Sequence, residues 1–448
     1  MKLIETLKNI WKITELRNRI LFTLTILAVY RFGAQIVLPG IDTTGVGGLS
    51  TDQSQGVLGL LDAFTGGALA KASVFALGIM PYISASIVVQ LMGIAIPYLQ
   101  KLQKEGASGQ KKITQITRWL TIAICLVQAP AYLASLPFLG VDPNSIDTMQ
   151  LGPFFYFIST ILLVTGCIFA MWLGEKITDK GIGNGISLLI TVGIIANMPL
   201  SFIQEWAFRV TESNGGLMLI LIELVIWIAI ILASVMLVMA VRKIAVQYAR
   251  RTASGSFDRN VAGKRQYIPL RLNASGVMPI IFAQALMFIP VTVGGAISDN
   301  SFGTFLVQNF QDIFGLWYNI VFGLLIVVFT YFYTAITVPT NKIADDLKRS
   351  GGFIPGVRPG TDTSNLLDKI MSNITLPGSI FLALLSVFPA VVVTFMDVKP
   401  GWALFFGGTS LLIMVGVAID TMQQVNSYLL NKHYDGLMKA GRDRKPAI

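Results

Sequence analysis

The sequence predicts an all-α integral membrane protein with ten transmembrane helices. Of the 448 residues, 54% are apolar and only 13% are charged, whereas soluble proteins carry about 25% charged residues. So few charges cannot cover a water-exposed surface. The second observation is a series of apolar stretches, each of the roughly 20 residues that a helix needs to cross about 30 Å of hydrocarbon.

Nine stretches contain no Lys, Arg, Asp or Glu, and they cover 72–100, 119–141, 148–174, 181–204, 224–241, 272–298, 313–341, 370–396 and 400–419. The helix over 224–241 is expected to begin near Gly216, because apolar residues also precede Glu223. A tenth span, 20–38, is interrupted once, by Arg31. Long apolar runs without alternation argue against a β-barrel, and unpaired backbone groups are not tolerated in lipid. A ten-helix bundle follows.

The basic residues predict the orientation of this bundle. The segments 1–19, 101–118, 175–180, 242–271, 342–369 and the tail hold 30 of the 34 Lys and Arg residues. The opposite side keeps only Lys71, Arg209 and Lys399. Since loops rich in Lys and Arg stay in the cytoplasm, both termini are expected to be cytoplasmic.

Ten spans with both ends on one side allow a division near residue 205 into two sets of five helices of opposite orientation, the parity of an inverted repeat. We expect a cytoplasmic amphipathic helix over 1–19, an N-terminal half over 20–205, a C-terminal half over 206–421 and a cytoplasmic tail over 422–448. The apolar segment 57–71 is too short to cross the membrane and is interrupted by Gly66 and Gly67. It is either an interfacial turn or a re-entrant piece buried in protein.

The sequence argues against an enzyme and against a bound metal or cofactor. Cys125 and Cys167 fall within spans and form no CxxC motif, and the single histidine, His433, lies in the polar tail. No segment fits the phosphate-binding loop G-x-x-x-x-G-K-[ST]. The ionisable residues within spans, Arg31 and Glu223, are expected to reach or pair at the outer interface, and a role in proton or ion coupling is the other interpretation. A secondary transporter of a small solute remains the alternative, since the span count and repeat parity alone allow it.

Five segments resemble the SecY family, the central subunit of the bacterial Sec protein-translocation channel. They are G-I-M-P-Y-I-S-A-S at 78–86, M-W-L-G-E at 171–175 with G-I-G-N-G-I-S at 181–187, P-L-R-L-N at 269–273 with G-V-M-P at 276–279, G-F-I-P-G-V-R-P-G at 352–360 and F-G-G-T-S-L-L-I at 406–413. The resemblance runs from Arg31 to the tail. It implies two pseudo-symmetric, inverted five-helix halves around a central pore. It also implies a channel that passes unfolded polypeptides across the bacterial inner membrane and releases transmembrane segments sideways into it.

The resemblance also implies site residues. A ring of aliphatic side chains that seals the pore falls on Ile79, Ile83, Ile190, Ile281 and Ile413. A plug that fills the outer funnel falls on 57–71, with Leu61, Phe64, Thr65, Gly66 and Gly67. A lateral gate toward lipid, between spans 2–3 and 7–8, carries small polar residues at Ser84, Gln128 and Asn273, for which helix packing is the other interpretation.

The cytoplasmic loops 242–271 and 342–369 match those with which the family docks the SecA ATPase or the ribosome, whose rRNA phosphates suit arginine. Arg358, held between Pro355-Gly356 and Pro359-Gly360, is the expected contact. Residues 252–266 depart from the family pattern, so Arg251, Lys264 and Arg265 are weaker candidates. The other implied partners are the SecE and SecG subunits, signal sequences, nascent polypeptides and membrane lipid, and no cofactor is implied.

Overall fold

The computed structural model describes residues 11, 13–41, 59, 62, 64–136, 148–211, 216–248, 266–296 and 301–442. The chain forms two compact units, one within Met1–Gln204 and Val417–Ile448 and the other within Glu205–Gly416. The predicted cytoplasmic helix over 1–19 lies mostly outside the described residues; the helix that contains its last residues begins at Thr14.

The elements in chain order are α1 Thr14–Gly33, α2 Met80–Ala95, α3 Pro97–Lys104, α4 Ala107–Ser135, α5 Thr148–Lys180, α6 Gly185–Thr211, α7 Gly216–Met239, β1 Val241–Tyr248, β2 Gln266–Arg271, α8 Met278–Ala296, α9 Ser301–Phe310, α10 Leu316–Thr337, α11 Thr340–Arg349, β3 Gly352–Phe353, α12 Thr361–Met396, α13 Pro400–Ala403 and α14 Gly408–Arg442.

Each of the ten predicted spans overlaps at least one of these helices. Within the described ranges, seven helices are long and apolar enough to cross a membrane, and the bent pair α2–α3 adds an eighth. The remaining two predicted spans correspond to α1, which carries Glu15 and three arginines, and to α8. The helix α7 begins at Gly216, which confirms the predicted start upstream of Glu223.

The predicted span 72–100 is broken in the structure. Its helix begins only at Met80, with Pro81 in the first turn. A proline there costs no hydrogen bond, because the first backbone N–H groups of a helix have no partner within the helix. It ends before Pro97, and α3 continues at an angle of 101° to it. Ile96 is extended (φ −100°, ψ 116°), because the proline ring disfavours helical backbone in the residue before it.

In the first unit, α2 packs on α4, α4 on α5 and α1 on α5. Two apolar clusters hold these helices together. One surrounds the buried Cys125 and Cys167, and the other surrounds Tyr30, Phe75 and Ile79. The rings of Tyr30 and Phe75 are stacked with their centres 5.5 Å apart. The second cluster places α1 beside the start of α2.

In the second unit, the segments treated as cytoplasmic loops form a small antiparallel sheet with the strand order β2-β1-β3. Val241 pairs with Arg271 and Val246 with Gln266, while Tyr248 pairs with Gly352 of β3. One face of the sheet covers an apolar cluster with α11 and the start of α12, formed by Ile244, Val246, Leu270, Leu347, Ile354, Leu367 and Met371. Among the other helices of this unit, α10 packs on α12 and α8 on α10.

Candidate functional site

Three of the five predicted ring isoleucines surround one narrow cavity in the first unit. Ile79, Ile83 and Ile190 line a space of about 10 Å³, which holds one water molecule at most. Ile79 immediately precedes α2, and the N–H of Ile83 donates to its carbonyl at 3.1 Å, so one helix face presents both side chains. The remaining lining residues are Tyr30, Phe64, Thr65 and Met80. The cavity is therefore narrow and mostly apolar.

Two of those lining residues belong to the predicted plug segment 57–71. Phe64 and Thr65 are buried, and the backbone then turns through Gly66 (φ +68°) and Gly67 (φ +84°), a conformation that glycine adopts at little steric cost. A β-carbon on Gly66 would lie 2.9 Å from the backbone of Gly193 in α6, and one on Gly193 would collide with the carbonyl of Phe64. The segment is thus seated directly against α6.

Two side chains from other helices bind the backbone of this segment. The guanidinium of Arg31 on α1 donates to the carbonyl of Gly66 at 3.1 Å. The hydroxyl of Tyr132 on α4 donates to the carbonyl of Leu69 at 2.7 Å. Arg31, which the sequence placed at the outer interface, therefore holds the segment that closes the cavity.

The segment also carries its own hydrogen bonds. Asp62 accepts from the N–H of Ala70 at 2.9 Å through its carboxylate and from Gly67 at 3.0 Å through its carbonyl. Burial raises the pKa of the Asp62 carboxyl, and the bond from Ala70 opposes that rise. The hydroxyl of Thr65 accepts from the N–H of Leu69 at 3.2 Å. The segment is a compact, internally bonded turn, in keeping with a re-entrant piece. Leu61 lies outside the described residues.

The other two ring residues, Ile281 and Ile413, belong to the second unit. Ile281 is half-buried in the first turn of α8, and Ile413 is buried near the start of α14. A β-carbon on Gly416 would lie 3.8 Å from Val277, and each isoleucine is about one helical turn from this contact. The second unit therefore brings α8 and α14 together near both residues.

The predicted gate residues occupy three different segments. In the first unit, Ser84 on α2 is half-buried and Gln128 on α4 is exposed, and these two helices pack on each other. In the second unit, Asn273 precedes α8 and accepts a hydrogen bond from the hydroxyl of Ser275 at 3.3 Å. The described contacts include none that joins Ser84 to Gln128, so their gate role stays a prediction.

Arg358 has an exposed side chain on a well-supported turn. Its carbonyl accepts from the hydroxyl of Thr363 at 2.8 Å, and Gly356 and Gly360 on either side adopt positive φ angles. Two residues of the same turn, Ile354 and Val357, pack in the apolar cluster under the sheet. The turn is anchored while the guanidinium points outward. Arg251, Lys264 and Arg265 lie outside the described residues.

Sequence reasoning missed a buried ionic cluster in the second unit. Glu205, Arg209 and Glu223 are each only 1–2% exposed, whereas the sequence only places Arg209 among the few cations on the outer side. The spacing of Glu205 and Arg209, one helical turn apart, was the available indication. The sequence does not show that a second carboxylate, that of Glu223 on α7, contacts the same guanidinium.

These features, apolar spanning helices and a cavity closed by a short bonded segment, define a multi-pass membrane protein. The SecY family model matches residues 73–422. Two similar relatives bear the name protein translocase subunit SecY. The relative from Mycobacterium tuberculosis is 39% identical over 449 residues (95% of this chain, 97% of the relative). The relative from Haemophilus influenzae is 40% identical over 434 residues (95% and 94%). The chain belongs to the SecY family.

Solved structures share the fold at low sequence identity. A structure described as that of a protein-conducting channel has a TM-score of 0.62 at 17% identity and covers 91% of both chains. A SecY structure whose plug domain is described as maintaining a membrane seal has a TM-score of 0.59 at 17% identity, again covering 91% of both chains. Sec61 from a canine ribosome–channel complex has a TM-score of 0.57 at 16% identity, with 91% of both chains covered.

Proposed function

We propose that this protein is the protein-conducting channel of a bacterial Sec translocase. It passes unfolded polypeptides across the inner membrane and releases transmembrane segments sideways into lipid. The observation that carries the proposal is the narrow apolar cavity between Ile79, Ile83 and Ile190, which the segment containing Phe64 and Thr65 lines from one side. Relatives of 39–40% identity named protein translocase subunit SecY support it.

An apolar constriction suits a substrate that differs in every turnover. A channel for arbitrary polypeptides cannot depend on side-chain hydrogen bonds specific to one sequence. A collar of isoleucines seals against ions by dewetting and yields to any chain that passes. In our proposal Ile281 and Ile413 of the second unit complete this collar, and the segment 57–71 is the plug that leaves when a chain enters.

The lateral gate is proposed along α2 and α4 of the first unit and α8 and α10 of the second, with Ser84, Gln128 and Asn273 at its seam. Hydrogen bonds between transmembrane helices contribute on average about 0.6 kcal/mol in a measured case. Bonds of that strength suit an opening that must form and close repeatedly. A signal sequence would partition through it into the membrane lipid.

The partners are proposed from the cytoplasmic turn that presents Arg358. SecA and the ribosome are the candidate motors. A guanidinium can bind carboxylates of SecA or rRNA phosphates of the ribosome through the same pair of parallel N–H bonds. The similar Sec61 channel is part of a ribosome–channel complex. SecE and SecG are the proposed companion subunits. We place the protein in the bacterial inner membrane with both termini in the cytoplasm, as the distribution of Lys and Arg supports.

A stalled polypeptide tests the proposal. With Cys125 and Cys167 replaced by alanine, Ile83→Cys should form a disulfide with a cysteine in a polypeptide arrested during translocation. The matched control is Val88→Cys on the same helix, which is exposed and points about 140° away from Ile83 around the helix axis. We expect adduct at residue 83 and none at residue 88. Equal disulfide formation at both positions, or none at residue 83, would contradict the proposal that the face of α2 bearing Ile83 lines the pore.

A further inference from the structure

A buried ionic cluster joins three segments of the second unit at the end of α7 remote from the sheet. Nε of Arg209 donates to Oε1 of Glu205 at 2.9 Å, and the backbone N–H of Lys399 donates to Oε2 of Glu205 at 2.8 Å. Nη2 of Arg209 donates to the carbonyls of Met396 at 2.6 Å and Asp397 at 3.2 Å. The cluster thus holds the connection that follows α12 against α6.

The second carboxylate is bound less completely. Oε1 of Glu223 lies 2.8 Å from Nη2 of Arg209, yet no N–H or O–H among the described residues meets this oxygen with hydrogen-bond geometry. Glu223 is 2% exposed, so water does not supply the missing bond from an open surface. A buried ionised carboxylate with an unmatched oxygen is costly.

The charges of the cluster do not balance if both carboxyl groups are ionised. Glu205 and Glu223 then carry two negative charges, and Arg209 supplies one positive charge. The ammonium of Lys399 lies 4.7 Å from the centre of the Phe208 ring, and the described ion pairs include none between it and either carboxylate. The side chain of Asp397 is exposed. Two carboxylates that share a buried site favour the uptake of one proton.

We propose that the cluster is a proton-binding site in which Glu223 holds the proton as a neutral acid and Glu205 remains ionised. Both oxygens of Glu205 accept N–H bonds, which favours its charged form, whereas Oε1 of Glu223 accepts none from the described residues. The protonated cluster keeps Nη2 of Arg209 on the carbonyls of Met396 and Asp397. Loss of the proton would place a second buried negative charge beside Glu205 and draw Arg209 away from those carbonyls. Proton release therefore loosens the end of α12, an effect that does not depend on the proposed channel function.

Infrared spectroscopy of the whole protein in membranes at neutral pH tests this assignment. The wild type should show the carbonyl stretch of a neutral carboxylic acid, and Glu223→Gln should lose a band equivalent to one group. Glu205→Gln should lose the band as well, because Glu223 then becomes the sole counterion of Arg209 and ionises. The matched control is Glu175→Gln, which removes a carboxylate bound at 2.8 and 2.6 Å by Arg118 and should leave the band unchanged.

The outcomes separate the alternatives. A wild type without the band, or a Glu223→Gln variant that keeps it, overturns the proposal, and a band that survives in Glu205→Gln overturns the charge-balance argument. Thermal unfolding provides an independent measurement. Glutamine has the shape of a neutral glutamic acid, so Glu223→Gln should unfold at the wild-type temperature, whereas a clear drop in that temperature would show that Glu223 is ionised.

Discussion

A single methyl group on Gly66 should unseat the plug segment. The β-carbon of Gly66→Ala would collide with the guanidinium of Arg31 and would lie 2.9 Å from both the α-carbon and the carbonyl oxygen of Gly193. The backbone atoms of α6 cannot rotate aside. Gly66 also has φ +68°, where an L side chain is disfavoured by about 1–2 kcal/mol. Overpacking adds about 1–3 kcal/mol, so the docked segment should lose about 2–5 kcal/mol in total. At about 1.4 kcal/mol for each tenfold change, this loss lowers the ratio of docked to undocked segment by a factor of roughly 30 to several thousand.

The neighbouring glycine provides the matched control. Gly67 has φ +84°, but a β-carbon there would meet only Oδ1 of Asn197, at an ordinary contact distance of 3.4 Å. Gly67→Ala should therefore suffer the backbone strain alone. The difference between the two variants reports the contacts of the Gly66 β-carbon with Gly193 and with the guanidinium of Arg31.

Ion conductance of the resting channel in planar bilayers measures the effect. We expect more frequent openings in Gly66→Ala than in Gly67→Ala, with both above the wild type. Equal conductance in the two variants would refute the argument that the close approach to α6 seats the plug.

Two further predictions concern the bonds around the site and the cytoplasmic turn. Tyr132→Phe removes the bond to the carbonyl of Leu69, worth about 0.5–1.5 kcal/mol, so resting conductance should rise but remain below that of Gly66→Ala; unchanged conductance would show that this bond does not hold the plug. Arg358→Glu should block SecA-driven export into vesicles while the protein still inserts and keeps its unfolding temperature, because the side chain is exposed. Normal export by that variant would remove Arg358 from the docking role.

The sequence predicted the spans well because the requirement for apolar side chains in lipid is strong and local. Each predicted stretch overlaps a helix, and the start of α7 at Gly216 followed from the apolar residues before Glu223. Where the local backbone conflicts with a continuous helix, composition alone did not show it. The break before Pro97 divides a stretch that is apolar throughout.

The strands of the cytoplasmic loops were missed for a different reason. In β1 the buried Ile244 and Val246 alternate with polar or small residues, a pattern typical of a strand. The charged Arg242 and Lys243 at its start instead favoured the interpretation of this segment as a loop. The sheet becomes stable only because α11 and α12 cover its apolar face, and residues of those helices lie about 100 positions later in the chain. A local sequence pattern cannot predict packing between segments so far apart in the chain.

The ionic contacts were the least predictable part of the site. The sequence places Arg31 within the first span, with the expectation that it reaches or pairs at the outer interface, and counts Arg209 among the cations on the outer side. In the structure one donates to the carbonyl of Gly66 and the other is buried between two glutamates. Which partner each arginine meets depends on contacts between segments far apart in sequence.

The most direct test of the central claim is the ion conductance of the resting protein when its collar is reduced. Ile83→Gly combined with Ile190→Gly removes two of the three isoleucines that line the cavity of the first unit, whereas Val88→Gly removes an exposed side chain on the opposite face of α2. We predict that planar bilayers containing the double variant conduct ions at rest and that those containing Val88→Gly stay sealed. A double variant as tight as the wild type would contradict the proposal that these isoleucines form the seal.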